Sequence, residues 1–281
     1  MGMRRFVWSV LAAGALLTFS AGCGEVQPGA EEETQPLAEE EPQEEERVYP
    51  FTYPLTGLGT DVPADKRPVM VMVENSPKSR PQSGLHKADI VYEILAEGEI
   101  TRFVAVFQSQ SPEVIGPVRS IRPYFVEIGD GLDALIVHAG WSSDAIRMLK
   151  NRNLPHFDEV YGDGAYYWRS SERRAPHNLY TSIEKIRQGA KNKGYREEWQ
   201  EVNIPFAAGA EHANVSGEPA GEITIPYIQG YYVRYIYNEE SKQYERYMLG
   251  EPHKDKESGE LLKGANIIIG KARHQILDSA G

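Results

Sequence analysis

Cysteine is almost absent from this chain: among 281 residues there is one, Cys23. A single thiol excludes an intrachain disulfide, a cysteine zinc cluster and Cys-x-x-Cys redox chemistry. The signatures of the large catalytic classes are missing too, with no H-E-x-x-H, G-x-S-x-G, P-loop or G-x-G-x-x-G anywhere. His138, His156 and His177 share no metal-ligand spacing, so neither a metal nor a cofactor is expected. Excess positive charge is lacking as well. The formal charge is −11, and it is −3 for residues 47–281 once the ten Glu of 24–46 and the two Arg of the N-terminus are set aside. That balance gives no reason to expect nucleic acid as a partner. The longest apolar stretch, Phe6 to Phe19, falls short of the ~20 residues of a comfortable membrane span.

What the N-terminus does have is the layout of an export signal over residues 1–23. Arg4 and Arg5 supply positive charge, Phe6 to Phe19 is largely apolar, and Ser20-Ala21-Gly22 leads into Cys23. The last tetrad resembles a bacterial lipobox, with Ser20 where Leu is usual. Cys23 is therefore expected to be acylated, palmitate being the chain type in view, and to hold the protein at the outer face of the cell membrane. Two chains on one cysteine suffice for stable anchoring. The competing reading is a plain secretory signal with a cysteine nearby by chance.

Residues 24–50 read as an acidic, disordered linker. Ten Glu and no Lys between 24 and 46 repel one another, and there is too little apolar surface to order the segment. Fully extended, it would reach roughly 70–80 Å. About 235 residues remain, enough for one large domain or two smaller ones.

The remainder divides by pattern into an α/β domain over 51–204 and a β-rich domain over 205–281. Val69 to Val73 is a short apolar run bounded by turn chemistry and predicts a buried strand. Ile90 to Ala96 and Ile100 to Phe107 predict two strands about Gly98-Glu99, a type II′ hairpin turn. Helices are predicted from Ser120 and Pro123 towards Ile128, from Ser142 through Ile146 and Leu149, and from a Thr181 cap to Gly194. Ala134 to His138 is a further strand, and the interleaving argues for an α/β core with mixed α+β character. Strand-like runs at Ile223–Ile225, Tyr231–Tyr237, Gln243–Met248 and Ala265–Ile269 follow, with turns at Asn238-Glu239-Glu240 and Glu257-Ser258-Gly259. Asp278 to Gly281 is turn chemistry with no strand after it, so the second domain is expected to be incomplete here.

Three constellations could carry chemistry. With Gly98-Glu99 as a two-residue loop, Leu95 faces Arg102 and Glu93 faces Val104. Alternation then sets Glu93, Glu97 and Arg102 on one sheet face. The second is Gly116-Pro117-Val118-Arg119-Ser120-Ile121-Arg122-Pro123 at a helix start, where free N–H groups and two guanidiniums suit an anion. Glu93, Glu97 and Asp89 are the acids that could instead pair with those arginines. The third combines Trp168, Arg169, Arg173, His177, Asn178 and Tyr180, aromatic and cationic groups fit for a carbohydrate or anion. Glu74, Glu93 and His177 are the candidate acid–base residues, although arginine beside paired carboxylates lowers their pKa values, the wrong direction for an acid. Structural ion pairing is the plainer reading of the first two, and a hydrogen-bonded structural His177 that of the third.

The order of Pro54-Leu55-Thr56-Gly57, Arg67 to Asn75, Arg80 to Leu85, Ala88 to Glu93, Ile100 to Phe103, Gly116 to Ser120 and Ala175 to Thr181 resembles the DUF3048 family, the YerB-type lipoproteins of Gram-positive bacteria. Gly250 to Asp255 extends the resemblance into the second domain. It implies an extracytoplasmic address and no assigned enzymatic activity. The expectation is a non-enzymatic lipoprotein that binds an anionic cell-wall component or a protein partner. Arg102, Arg119, Arg122, Arg169 and Arg173 would hold the anion. The alternative is a hydrolase or transferase of cell-wall polymer.

Overall fold

The computed structural model describes residues 47–200, 204, 206, 217–273 and 275. The expectations for the signal, Cys23, linker residues 24–46 and Asp278 to Gly281 lie outside the described residues.

Strands β1 (Phe51–Thr52) and β2 (Gly59–Thr60) form a short antiparallel ladder. The main sheet comprises β3 (Val69–Glu74), β4 (Ile90–Leu95), β5 (Thr101–Phe107), β6 (Leu135–His138) and β7 (His156–Asp158), in the order β4-β5-β3-β6-β7. Strands β3, β6 and β7 run parallel, while β5 is antiparallel to both β3 and β4. Helices α1 (Pro123–Gly131) and α2 (Ser143–Asn151) precede the short pair β8 (Trp168–Arg169) and β9 (Leu179–Tyr180), and α3 (Ile183–Lys193) follows. A second sheet is formed by β10 (Glu222–Ile228), β11 (Tyr231–Asn238), β12 (Gln243–Met248), β13 (Glu251–Pro252) and β14 (Lys263–Gly264). The α/β class and the β-rich C-terminal region are as the sequence indicates.

The continuous apolar run of β3 follows from its place in the centre of the sheet, buried on both faces. Val69, Val71 and Val73 pack with Phe103, Phe107 and Val137 beneath Ile183, Ile186 and Ala190 of α3. Met70 and Met72 pack with Val104, Val106 and Ile136 beneath Phe125 of α1 and Leu149 of α2. The sheet is thus a middle layer between α1 and α2 on one side and α3 on the other. Each large side chain buried in this way contributes about 1.5–3 kcal/mol.

Several local expectations change. The β4–β5 connection is a one-turn 3-10 segment at Glu97–Glu99, not a two-residue type II′ loop, with Gly98 and Glu99 both at positive φ. The register therefore shifts by one: Leu95 faces Thr101, Ile94 faces Arg102 and Glu93 faces Phe103. A one-residue shift reverses sheet faces, so Glu93 and Arg102 lie on opposite faces. The N-cap of α3 is Ser182, whose hydroxyl accepts the Lys185 N–H at 3.2 Å, and not Thr181. Ala265 to Ile269 is not a strand. Pairing with β12 ends at Gly264, and Ile268 is 95% exposed. Strand β7, only three residues long, gave no run to read.

Candidate functional site

Strands β3 and β6 pair in parallel from Val69–Leu135 to Val71–Val137 and then diverge towards their carboxyl ends. The segment Pro117–Ile121 enters this opening. Its Arg119 N–H donates to the Met72 carbonyl at 2.9 Å, and its Arg119 carbonyl accepts the Ala139 N–H at 3.0 Å. Val118 bridges to Val73, and Ile121 bridges to Trp141. Gly116 admits the segment. Its φ is +151°, and a Cβ there would stand 2.7 Å from the Leu179 carbonyl. Crevices at the carboxyl ends of strands are where open α/β sheets bind ligands. This one receives Arg119, Ser120 and Arg122 together with the N-terminus of α1.

Glu74 ends β3, with its side chain only 3% exposed. Both of its oxygens lie 2.9 Å from His177 Nδ1, and the Ser76 hydroxyl donates to Oε1 at 2.8 Å. A carboxylate partner fixes the imidazole hydrogen on Nδ1, which leaves Nε2 as the acceptor. Arg119 Nε stands 3.6 Å from Glu74. Among the described residues the Arg119 side chain makes no hydrogen bond, and it is 31% exposed.

Arg102 is buried beside it. Its guanidinium donates to the Ser120 carbonyl at 2.6 Å and to Glu97 at 2.9 Å. Arg122 holds the other Glu97 oxygen through Nε and donates to the Ile121 carbonyl at 2.8 Å. Burial acts to raise the Glu97 carboxyl, but Arg102 and Arg122 outweigh it and hold the group below the usual carboxylate range. Burial lowers Arg102, with Glu97 opposing. One carboxylate thus serves two guanidiniums.

Arg173 donates to the Ser79 and Pro81 carbonyls at 2.7 and 2.6 Å and to the Tyr180 hydroxyl at 3.1 Å. It pairs with no carboxylate among the described residues. The Ser79 hydroxyl in turn donates to the Glu74 carbonyl at 3.2 Å, linking Arg173 to the site. Burial pushes the Tyr180 hydroxyl up. Arg169 binds Asn178 at 3.1 Å and Glu159 at 3.0 Å, Asn178 donates to the Ser170 carbonyl at 2.9 Å, and Trp168 stacks on Tyr180 at 6.3 Å.

The structure therefore brings together Glu74, Arg102, Arg119, Arg122, Glu97 and His177, with Arg173 joined through Ser79. Arg169, Trp168, Asn178 and Tyr180 brace the neighbouring β8–β9 ladder. Two expected partners of the arginines lie elsewhere. Asp89 accepts the Gln108 and Ser109 N–H groups and closes the loop after β5. Glu93 accepts the Thr101 hydroxyl at 2.6 Å and pairs with Arg246 of β12 at 2.8 Å. The sequence reading passed over Trp141 and Tyr161, whose rings stack at 4.8 Å next to this crevice. The signal for Trp141 was its place three residues after a predicted strand end.

An α/β core with a β-rich C-terminal region and a cluster of arginines at the carboxyl ends of its parallel strands defines the class. The chain belongs to the DUF3048 family. The profile described as "Protein of unknown function (DUF3048) N-terminal domain" matches residues 55–196, and that of its C-terminal domain matches 223–281. It is similar to YerB of Bacillus subtilis (strain 168), a protein proposed by its name to be a lipoprotein. The identity is 42% over 230 residues, covering 81% of this chain and 69% of the relative. The crystal structure of the Bacillus subtilis YerB protein superposes with a TM-score of 0.74 at 40% identity, covering 82% of this chain and 78% of that one.

Proposed function

We propose that this protein is a lipoprotein, tethered through Cys23 at the outer face of the cell membrane, that binds an anionic envelope component at the arginine cluster beside the segment Pro117–Ile121. The observation that carries the reading is Arg119, a guanidinium 31% exposed whose N–H groups have no hydrogen-bond partner among the described residues. Around it, the guanidiniums of Arg102, Arg122 and Arg173 outnumber the carboxylates Glu74 and Glu97. Phosphate or carboxylate on a ligand balances that surplus, and planar guanidinium donors suit both. Protein partners with an acidic segment fall within the same chemistry.

The test is thermal unfolding of the full chain with inorganic phosphate and glycerol phosphate. Saturation at a hundredfold above Kd stabilises by about 2.7 kcal/mol. The shift should vanish in Arg119→Ala. A shift of equal size in that variant would overturn the reading.

A second reading rests on the Glu74–His177 pair. A buried carboxylate that orients Nδ1 and leaves Nε2 unbonded is the arrangement of a general base. On this reading the crevice holds a wall polymer for hydrolysis or transfer, with Glu74 and His177 as the acid–base pair. Turnover of isolated wall that disappears in His177→Ala is its expected sign.

A further inference from the structure

Beside the arginines, the structure presents an aromatic surface. Trp141 and Tyr161 stack with ring centroids 4.8 Å apart and planes inclined by 28°. Tyr161 is 65% exposed, and its neighbour Val160 is exposed as well. Trp141 behind Tyr161 is half-buried against the core on the α1–α2 side of the sheet, so the stack offers the Tyr161 ring to solvent on a fixed support. Tyrosine and tryptophan suit partners with one apolar face and polar edges.

The pair is held in place by Asp158, at the end of β7. One oxygen of this buried carboxylate accepts the Gly140 N–H at 2.9 Å and the Val160 N–H at 3.1 Å. The Tyr161 N–H returns to the Asp158 carbonyl at 3.3 Å. Asp158 therefore joins the loop carrying Trp141 to the loop carrying Tyr161, beyond the paired ends of β6 and β7. The platform is also continuous with the arginine segment. Ile121 N–H donates to the Gly140 carbonyl at 3.1 Å, Ser142 N–H donates to the Ile121 carbonyl at 3.3 Å, and Arg119 and Arg122 flank that stretch.

We infer that the Trp141–Tyr161 stack is a saccharide subsite, so that the ligand of the neighbouring arginines is a sugar bearing an anionic group and not a free small anion. The inference rests on the anion-binding reading above. A pyranose ring presents one face of C–H groups, which lies flat on an aromatic ring while its hydroxyls stay at the edge in water. A phosphate or carboxylate on the same sugar then reaches the guanidiniums across Ile121.

The test titrates the full chain by calorimetry with three probes: inorganic phosphate, N-acetylglucosamine 1-phosphate and the neutral trimer chitotriose. The sugar phosphate should bind at least tenfold more tightly than phosphate. Tyr161→Ala should remove that advantage and leave phosphate affinity unchanged; an exposed side chain of this kind can be truncated without loss of the fold. Chitotriose should quench tryptophan fluorescence in the parent and not in Tyr161→Ala. If the sugar phosphate binds no better than phosphate and chitotriose is indifferent to Tyr161, the subsite is overturned while the anion site stands. If neither phosphate nor the sugar phosphate binds but chitotriose binding still depends on Tyr161, the subsite is supported and the anion reading falls. Should none of the three probes bind, both are overturned.

Discussion

Both carboxylate oxygens of Glu74 stand 2.9 Å from Nδ1 of His177, and one of them also lies 3.6 Å from Nε of Arg119. The carboxylate therefore positions the imidazole and competes with any incoming anion for the guanidinium. Replacing Glu74 by Gln keeps the size and removes the charge. Unpairing this buried group should lower stability by about 1–3 kcal/mol. Phosphate affinity should rise by roughly five- to tenfold, because one negative charge is withdrawn from beside Arg119. Calorimetric titration of Glu74→Gln checks the sign, and weaker phosphate binding would show that positioning outweighs competition.

Glu93 belongs to a different structure. It joins Arg246, and Arg246 Nε donates to His253 Nδ1 at 3.0 Å while His253 Nε2 donates to Gln82 at 2.7 Å. The second sheet is thus bound to the first through a buried polar network that reaches Asn75 and Thr101. Removing one member of a buried ion pair costs about 3–5 kcal/mol. Glu93→Ala should lose that much in urea unfolding and leave phosphate affinity untouched. A binding defect without loss of stability would return Glu93 to the site.

His253 of this network and His138 of β6 set a pH response. Burial, together with Arg246 and Arg80, pushes His253 down to about 2, and burial beside His156 pushes His138 down to about 3. Both stay neutral in the folded protein, whereas in the unfolded chain they titrate near 6.5. The unfolded state then binds more protons below that value, so stability is complete above pH 6.5 and falls as the pH drops towards 3. Each histidine contributes at most about 1.4 kcal/mol per pH unit. From these two rings alone, urea unfolding at pH 7 and pH 5 should differ by up to about 4 kcal/mol, and His253→Gln should reduce the slope. A pH-independent midpoint would contradict the buried, neutral state of these rings.

The residues that sequence placed well are those whose environment repeats locally. Val69 to Val73 is apolar throughout because both faces are covered, and Asn238 turns because its side chain accepts the Glu240 and Ser241 N–H groups at 3.0 Å. The start of α1 was legible from Pro123, its first residue, and Arg119 and Arg122 stand in the segment before it. The site's acid was harder to assign. Glu74 meets His177 across a separation of 103 residues, and no local pattern encodes such a contact. Glu93 was misplaced by one residue of register. Gly98 and Glu99 both adopt the left-handed conformation inside a five-residue connection, and the sequence offers a two-residue turn there just as readily. Trp141 and Tyr161 come from two separate loops, which the β6–β7 pairing and Asp158 bring together.

Glu97 offers the sharpest probe of what the arginine cluster accepts, since this one carboxylate neutralises two of its guanidiniums. Arg102 donates to one of its oxygens at 2.9 Å and Arg122 holds the other. In Glu97→Ala, buried Arg102 and largely buried Arg122 repel one another with no carboxylate between them. The variant should lose about 3–5 kcal/mol in water. Inorganic phosphate can replace the lost charge, accepting from both forks at once. The stabilisation by phosphate should therefore be larger in Glu97→Ala than in the parent, and sodium chloride at equal ionic strength should not reproduce it. Equal shifts in the two proteins would show that phosphate does not enter between Arg102 and Arg122, and would confine anion binding to Arg119.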